Sequence, residues 1–254
     1  STGRAEFGDT TADFEAGAVD YIVKPVSPPI VLARVRTHLS LVSATQLEKS
    51  YHEAIYMLGE ASEFKDTDTG AHIWRMAGYS SALAAACGWD AAACRQLELA
   101  APMHDIGKLS IPDAILHKPG KLDAAEWKVM QTHSAVGHKI LSKSSNAPIL
   151  QMAATVALRH HEKWDGSGYP DGLAGEAIPQ MARIVAIADV FDALSMTRPY
   201  KEAWPLDRIM DTLKDSAGTH FDPQLIECFT GILSQILAIK DEWDACYPKG
   251  TRSA

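Results

Sequence analysis

The chain is short of cysteine, of positive charge and of long apolar runs, and each shortage excludes a class of protein. Its 254 residues hold four cysteines, Cys87, Cys94, Cys228 and Cys246, with no C-x-x-C pair. That argues against a disulfide framework and a closed thiolate zinc site, and it suits a reducing cytoplasm. No run approaches the roughly 20 apolar residues that cross a bilayer, and the N-terminus lacks a basic start followed by an apolar core. Neither a membrane partner nor a signal peptide is expected. Lys and Arg number 24 against 32 Asp and Glu, a formal charge of -8. With that balance there is no broad surface for a nucleic-acid polymer, and any bound phosphate must be met by locally concentrated cations or metal ions.

What remains is an ordinary globular composition, 46% apolar and 22% charged. It excludes disorder and allows one large domain, or one domain and a smaller piece. The opening GDTTADFEAGAVDYIVKPVSPP offers one helix-like stretch and one short apolar strand before a proline-rich break, and reads as the tail of something larger. From Ile30 to Lys65, Leu32, Val35, Leu39 and Val42 recur at three and four, then Leu47, Tyr51, Ala54 and Leu58 at four, three and four. A long connecting helix is expected, with a phase break between Val42 and Leu47. Pairing with a second copy and packing on the following domain remain equal alternatives for it.

Beyond Thr69 the pattern is helical almost throughout. Helices are expected over His72 to Cys87, Ala91 to Met103, Ala124 to Thr132, Ile149 to His161, Met181 to Leu194, Leu206 to Asp215 and Pro223 to Ile239. Asp222 before Pro223 is a good helix start. The expected fold class is mainly α, a helical bundle behind a long connecting helix and a small α/β remnant. The domains follow: 1–29 remnant, 30–65 connecting helix, 66–243 catalytic domain, 244–254 tail.

Five groups form a ligand inventory: His72 after Asp68, His104 with Asp105, His133, the pair His160 and His161, and Asp189. Imidazole with carboxylate suits Zn, Fe, Mn, Co or Ni, and a shared carboxylate bridges two ions. Neighbours on a helix point about 100° apart, so His160 and His161 cannot point the same way yet can grip one ion from two sides at a helix end, and His104 could bind one ion while Asp105 lies between two. Asp68 and His72, four apart, share a face if helical. A lone histidine is more often a surface or core residue than a ligand, so His38, His52, His117, His138 and His220 stay in the background set. Lys108, Arg198 and Lys201 stand near these groups and suit a phosphate substrate, with salt bridging as the plainer alternative. Arg183 is read as pairing with a nearby carboxylate.

HDIGK at 104 to 108, His133, RHHEKWDGSGYP at 159 to 170 and ADVFDALSMTRPYK at 188 to 201 stand in the order of a known family. From about Glu60 to Trp243 the chain resembles the HD-GYP proteins, a branch of the HD-domain metal-dependent phosphohydrolases. The resemblance implies a helical enzyme that hydrolyses cyclic di-GMP to pGpG and, in many members, GMP. It makes His72, His104, Asp105 and Asp189 ligands of one ion, and the bridging Asp105 with His133, His160 and His161 ligands of a second. Lys108, Arg198 and Lys201 match positions that contact phosphate or support the site, and Asp192 and Arg183 are taken as supporting. Gly168, Tyr169 and Pro170 shape the loop flanking the site, an element linked to GGDEF-domain partners. Some members carry a glutamate in place of Asp68 for a third ion. The shorter aspartate favours two ions over three.

FEAGAVDYIVKP is similar to the last helix and strand of response-regulator receiver domains, with Lys24 as the Lys before Pro. That implies an upstream sensor kinase where a full receiver exists, and truncation is favoured over a degenerate receiver. The expected reaction is attack of a metal-bridging hydroxide on phosphorus, with Asp105 and Lys108 as catalytic residues. The rivals are an HD phosphohydrolase acting on another nucleotide, and a non-catalytic module that binds a cyclic dinucleotide or a GGDEF partner.

Overall fold

A computed structural model describes residues 27–63, 71–143, 146–196 and 203–246 of the chain. Asp68, Arg198, Lys201 and the receiver-like segment with Lys24 lie outside the described residues. The described residues are mainly helical, as the periodicity predicts, and hold no strand beyond the isolated bridges Asp165 to Ala174 and Ala217 to Phe221.

The first helix, α1 (Pro28–Glu63), is continuous through the expected phase break. Backbone hydrogen bonding does not depend on where the apolar stripe lies, so the step from Val42 to Leu47 rotates the stripe without ending the helix. The chain divides into two compact units, Ser1–Glu53 and Ala54–Ala254. In the first, Leu32, Val35, Leu39, Val42 and Leu47 are exposed.

The second unit holds the last turns of α1 and nine further helices among the described residues. They are α2 (Ala71–Ala86), α3 (Ala91–Ala100), α4 (Asp113–Leu116), α5 (Ala124–Leu141), α6 (Pro148–Arg159), α7 (Gln180–Ser195), α8 (Leu206–Asp215), α9 (Pro223–Gly231) and α10 (Leu233–Cys246). Short 3-10 turns at Ala101–Met103 and Ile106–Ser110 follow α3. Helix α7 lies at the centre. Ala182, Ile184 to Ala188 and Phe191 are buried on several of its faces, the pattern of a helix enclosed by others. Around it pack Met76, Tyr79 and Leu83 of α2, Leu97 of α3, Val156 of α6, Leu213 of α8, Phe229 of α9 and Ile236 of α10. A second apolar cluster joins Ile55 of α1 to Leu99, Met103, Ile106, Leu141 and the alanines of α6.

Capping explains several boundaries. Asp90 accepts from Ala92 and Ala93 N–H at the start of α3, and Asp123 and Glu126 form a reciprocal capping box on α5. Asp222 caps α9 through Gln224 N–H at 2.9 Å with Pro223 in the first turn, as expected. One expected helix divides: Pro223 to Ile239 is two helices, α9 ending at Gly231 and α10 beginning at Leu233. Glycine costs a helix interior about 1 kcal/mol, and the break lets Phe229 and Ile236 both reach the core. Helix α5 runs to Leu141, beyond the expected Thr132.

Candidate metal centre

Two helices, two helix ends and a bend bring seven residues of the ligand inventory together. His72 lies in the first turn of α2, and Asp189 and Asp192 lie one turn apart on α7. His104 and Asp105 occupy the bend between the two 3-10 turns, His133 the middle of α5, and His160 and His161 the exit of α6. Ligand atoms of Asp105, His133, His160 and His161 lie within 4.8 Å of one another, and so do those of His72, His104 and Asp189. Asp105 faces both groups. Its Oδ1 is 3.2 Å from His133 Nε2 and 3.6 Å from His160 Nε2, while its Oδ2 is 3.2 Å from His104 Nε2 and 2.7 Å from Lys108 Nζ.

Each of four imidazoles is fixed by its other nitrogen. His104 Nδ1 donates to the Ala101 carbonyl at 3.0 Å, His133 Nδ1 to Met130 at 2.7 Å, and His160 Nδ1 to Val156 at 3.0 Å. A carbonyl only accepts, so the proton sits on Nδ1 and Nε2 presents its lone pair. His72 differs: its Nδ1 lies 2.7 Å from the Asp192 carboxylate, which also accepts from Arg75 Nε at 2.7 Å and Nη2 at 2.8 Å. Arg75 reaches on to Asp244 of α10 at 3.3 Å.

The buried atoms left without a hydrogen-bond partner include His104 Nε2, His133 Nε2, His160 Nε2 and Asp105 Oδ1. Buried lone pairs are costly when unpaired, yet these converge on each other with no donor between them. A cation accounts for that arrangement, and an all-imidazole and carboxylate donor set suits a divalent first-row metal. The residues present therefore fit metal binding.

The charge states of Asp105, Asp189, His133 and His161 agree with this. Burial raises Asp105, but Lys108 and then His104 overcome it and hold the carboxyl well below the usual range. Asp189 is likewise held down, against its burial, by His72 and His104. Burial pushes His133 down to about 4, and burial with the neighbouring His160 pushes His161 well below its ordinary value, leaving both neutral at pH 7. His72 and His104 rise instead. Burial opposes the change, but Asp189 and Asp192 outweigh it at His72, and Asp105 does so at His104.

Glycine sets two of the approaches. A Cβ on Gly107 would stand 1.8 Å from the His133 carbonyl oxygen, so the HDIGK bend packs on α5 only with glycine there. A Cβ on Gly168 would stand 2.4 Å from Lys163 N and 2.5 Å from the His161 oxygen, so glycine lets the loop after His161 fold back on itself. Tyr169 N–H then donates to the His161 carbonyl at 3.2 Å, and the Tyr169 ring stacks on His161 at 4.7 Å and 27°. The Tyr169–Pro170 peptide is cis. Buried Glu162 holds the loop's far side, accepting from Asp171 and Leu173 N–H at 3.0 Å and from Arg159 at 3.0 Å.

Arg183 pairs with Asp222, donates to the Ile178 carbonyl at 2.9 Å and lies over the Trp164 ring. It braces the loop from outside the ligand groups. Of the background histidines, His138 donates through Nδ1 to the Ala154 carbonyl at 3.1 Å and His220 stacks on Phe221 at 4.1 Å. Neither joins a ligand group among the described residues. Sequence reading missed Arg75 and Glu162. His72 and Arg75 on α2, and Asp189 and Asp192 on α7, are each spaced i, i+3 and so present pairs on one face, but only the packing of α2 on α7 sets those pairs opposite each other.

An all-helical domain that converges histidines and aspartates on one buried centre defines the class, and comparison with known proteins places the chain within it. Residues 43–225 match the HD domain family. The chain belongs to that family. It is 43% identical over 235 residues to the cyclic di-GMP phosphodiesterase response regulator RpfG of Xanthomonas campestris, covering 85% of this chain and 62% of that protein. It is 45% identical over 194 residues to 3'3'-cGAMP-specific phosphodiesterase 2 of Vibrio cholerae, covering 76% of this chain and 37% of that protein. The chain thus spans less than two thirds of either relative. A solved cyclic GMP-AMP-specific phosphodiesterase of Vibrio cholerae shares the fold, with a TM-score of 0.58 at 18% identity over 78% of this chain and 53% of that one.

Proposed function

We propose that the chain is a metal-dependent phosphodiesterase that hydrolyses cyclic di-GMP to pGpG or GMP. The observation that carries the reading is the set of buried, unpartnered lone pairs of His104, His133, His160 and Asp105, converging from separate elements onto one carboxylate. The family and the activities named for its relatives support the substrate class.

His72, His104, Asp105 and Asp189 would hold one divalent ion, and Asp105, His133, His160 and His161 a second, drawn from Fe, Mn, Ni, Co or Zn. Such ions lower the pKa of bound water towards neutrality and offset phosphate charge. The chain's own groups do the rest. Asp105 stays ionised between the two ligand groups, and Lys108, partly exposed beside it, offers its ammonium to a phosphate oxygen as negative charge builds. Arg198 and Lys201 are assigned the same task from the segment after α7. Gly168, Tyr169 and Pro170 form the wall above His161 and a contact surface for GGDEF-domain proteins. Helix α1 connects this domain to a receiver read by a sensor kinase and pairs with its copy in a homodimer. The setting is cytoplasmic, consistent with the absence of any described helix long and apolar enough to cross a membrane.

The test is turnover by purified protein loaded in turn with Mn, Fe and Ni, offered cyclic di-GMP and 3'3'-cGAMP, with products separated by chromatography. Linear product from cyclic di-GMP is expected. Faster turnover of 3'3'-cGAMP would reassign the substrate, and no product with any of the metals would leave a binding module.

A further inference from the structure

Trp127 is a large aromatic side chain with 47% of its surface exposed. Its backbone is held firmly. Trp127 N–H donates to the Asp123 carbonyl at 2.8 Å, the Asp123 side chain accepts from Ala125 and Glu126 N–H at 2.8 and 2.9 Å, and Glu126 returns a bond to Asp123 N–H at 2.8 Å. Lys118 adds an ion pair to Glu126 at 2.5 Å. A capped first turn of this kind fixes the backbone from which the indole projects.

The indole stands beside the ligand groups. Its ring centre is 6.2 Å from that of Tyr169 at 83°, an edge-to-face contact, and Tyr169 in turn stacks on His161. A chain of rings thus leads outward from a ligand histidine to an open aromatic surface. The Tyr169 ring is stacked on His161, whereas the indole is about half exposed. A molecule that engages both this surface and a phosphate-binding centre carries a phosphate and a planar ring, as a nucleotide does.

We propose that Trp127 is a stacking platform for a nucleobase of the substrate whose phosphate lies at the ligand groups. The inference rests on the phosphodiesterase reading above and adds to it the residue that holds the base. Base-aromatic stacking tolerates any base, since each has a flat face. Trp127 therefore contributes to affinity for cyclic dinucleotides in general and leaves the choice between guanine and adenine to other contacts.

The test compares Trp127→Ala, Trp127→Leu and Trp127→Phe on cyclic di-GMP and 3'3'-cGAMP, with metal content and melting temperature measured alongside. Trp127→Ala is expected to raise KM about tenfold for both substrates, in the range that base stacking supplies. Trp127→Phe should recover most of that loss, and Trp127→Leu, apolar but without a ring face, should behave like alanine. An unchanged KM in Trp127→Ala overturns the platform. So does equal recovery by leucine, which would mean apolar packing, or a fall in kcat that follows metal content, which would mean damage to the fold. Wild-type protein that turns over neither dinucleotide sinks the phosphodiesterase reading first, before any substitution is made, and the platform falls with it.

Discussion

Asp192 holds His72: the two side chains meet at 2.7 Å, both buried, and Arg75 grips the same carboxylate through two nitrogens. A carboxylate hydrogen-bonded to a ligand imidazole fixes its tautomer and raises its basicity, and losing such a partner typically costs 10-fold to 100-fold in metal affinity or activity. Asp192→Asn keeps an oxygen for His72 but loses the charge. It should lower turnover by about that range and deplete the ion on the His72, His104 and Asp189 side, while the His133, His160 and His161 side stays loaded. Elemental analysis with turnover decides it, and a fully loaded, fully active variant would sink the assignment. Asp192→Ala also strands a buried guanidinium and should cost about 3 to 5 kcal/mol in unfolding free energy.

Asp105 faces both ligand groups. Asp105→Ala should abolish measurable turnover and reduce bound metal to less than half. His138→Ala, at a histidine turned to the Ala154 carbonyl, should leave metal content unchanged. Metal analysis of both proteins, prepared identically, tests the pair. Near-normal metal in the first, or a large loss in the second, would show that the ligand set is drawn wrongly.

Gly107 should tolerate no side chain. With a Cβ only 1.8 Å from the His133 oxygen, Gly107→Ala must push the HDIGK bend off α5, at an expected cost of about 3 kcal/mol or more and with loss of metal. Gly231→Ala is the control, since nothing lies within 4 Å of its added Cβ. Its melting temperature should stay within a few degrees of wild type.

His220 makes stability depend on pH without itself joining a ligand group. Burial, with Lys163 nearby, lowers its pKa from 6.5 to about 4. Between those values the unfolded chain takes up a proton that the folded protein refuses, so this contribution is present above pH 6.5 and is lost as pH falls towards 4. With allowance for partial exposure it amounts to about 1 to 2 kcal/mol. His220→Asn should show a shallower loss of stability between pH 7 and pH 4.5 by denaturant unfolding of metal-free protein. Parallel curves for the two proteins would refute it.

The helices were legible because their apolar spacing is local, and α8 falls on its expected residues, Leu206 to Asp215. The break at Gly231 was not, because one glycine in a periodic run does not reveal which way the chain turns next. In the centre, His72, His104, Asp105, His133, His160, His161 and Asp189 could be named from composition and family resemblance, and the structure brings them into two groups. Arg75 and Trp127 escaped notice for a physical reason. A buried arginine and an exposed tryptophan acquire meaning only from what stands across from them, and that is decided by how α2 meets α7 and how α5 meets the loop after His161.

Three of the four oriented histidines lean on carbonyl oxygens three or four residues behind them. Those acceptors are main-chain atoms, present whatever side chain occupies the position, so sequence drift at Ala101, Met130 or Val156 does not remove them. His72 alone leans on a side chain. One codon change at position 192 can therefore impair that half of the centre while the other half keeps its orientation. A descendant of this chain that lost catalysis yet still bound metal would be expected to have changed there first.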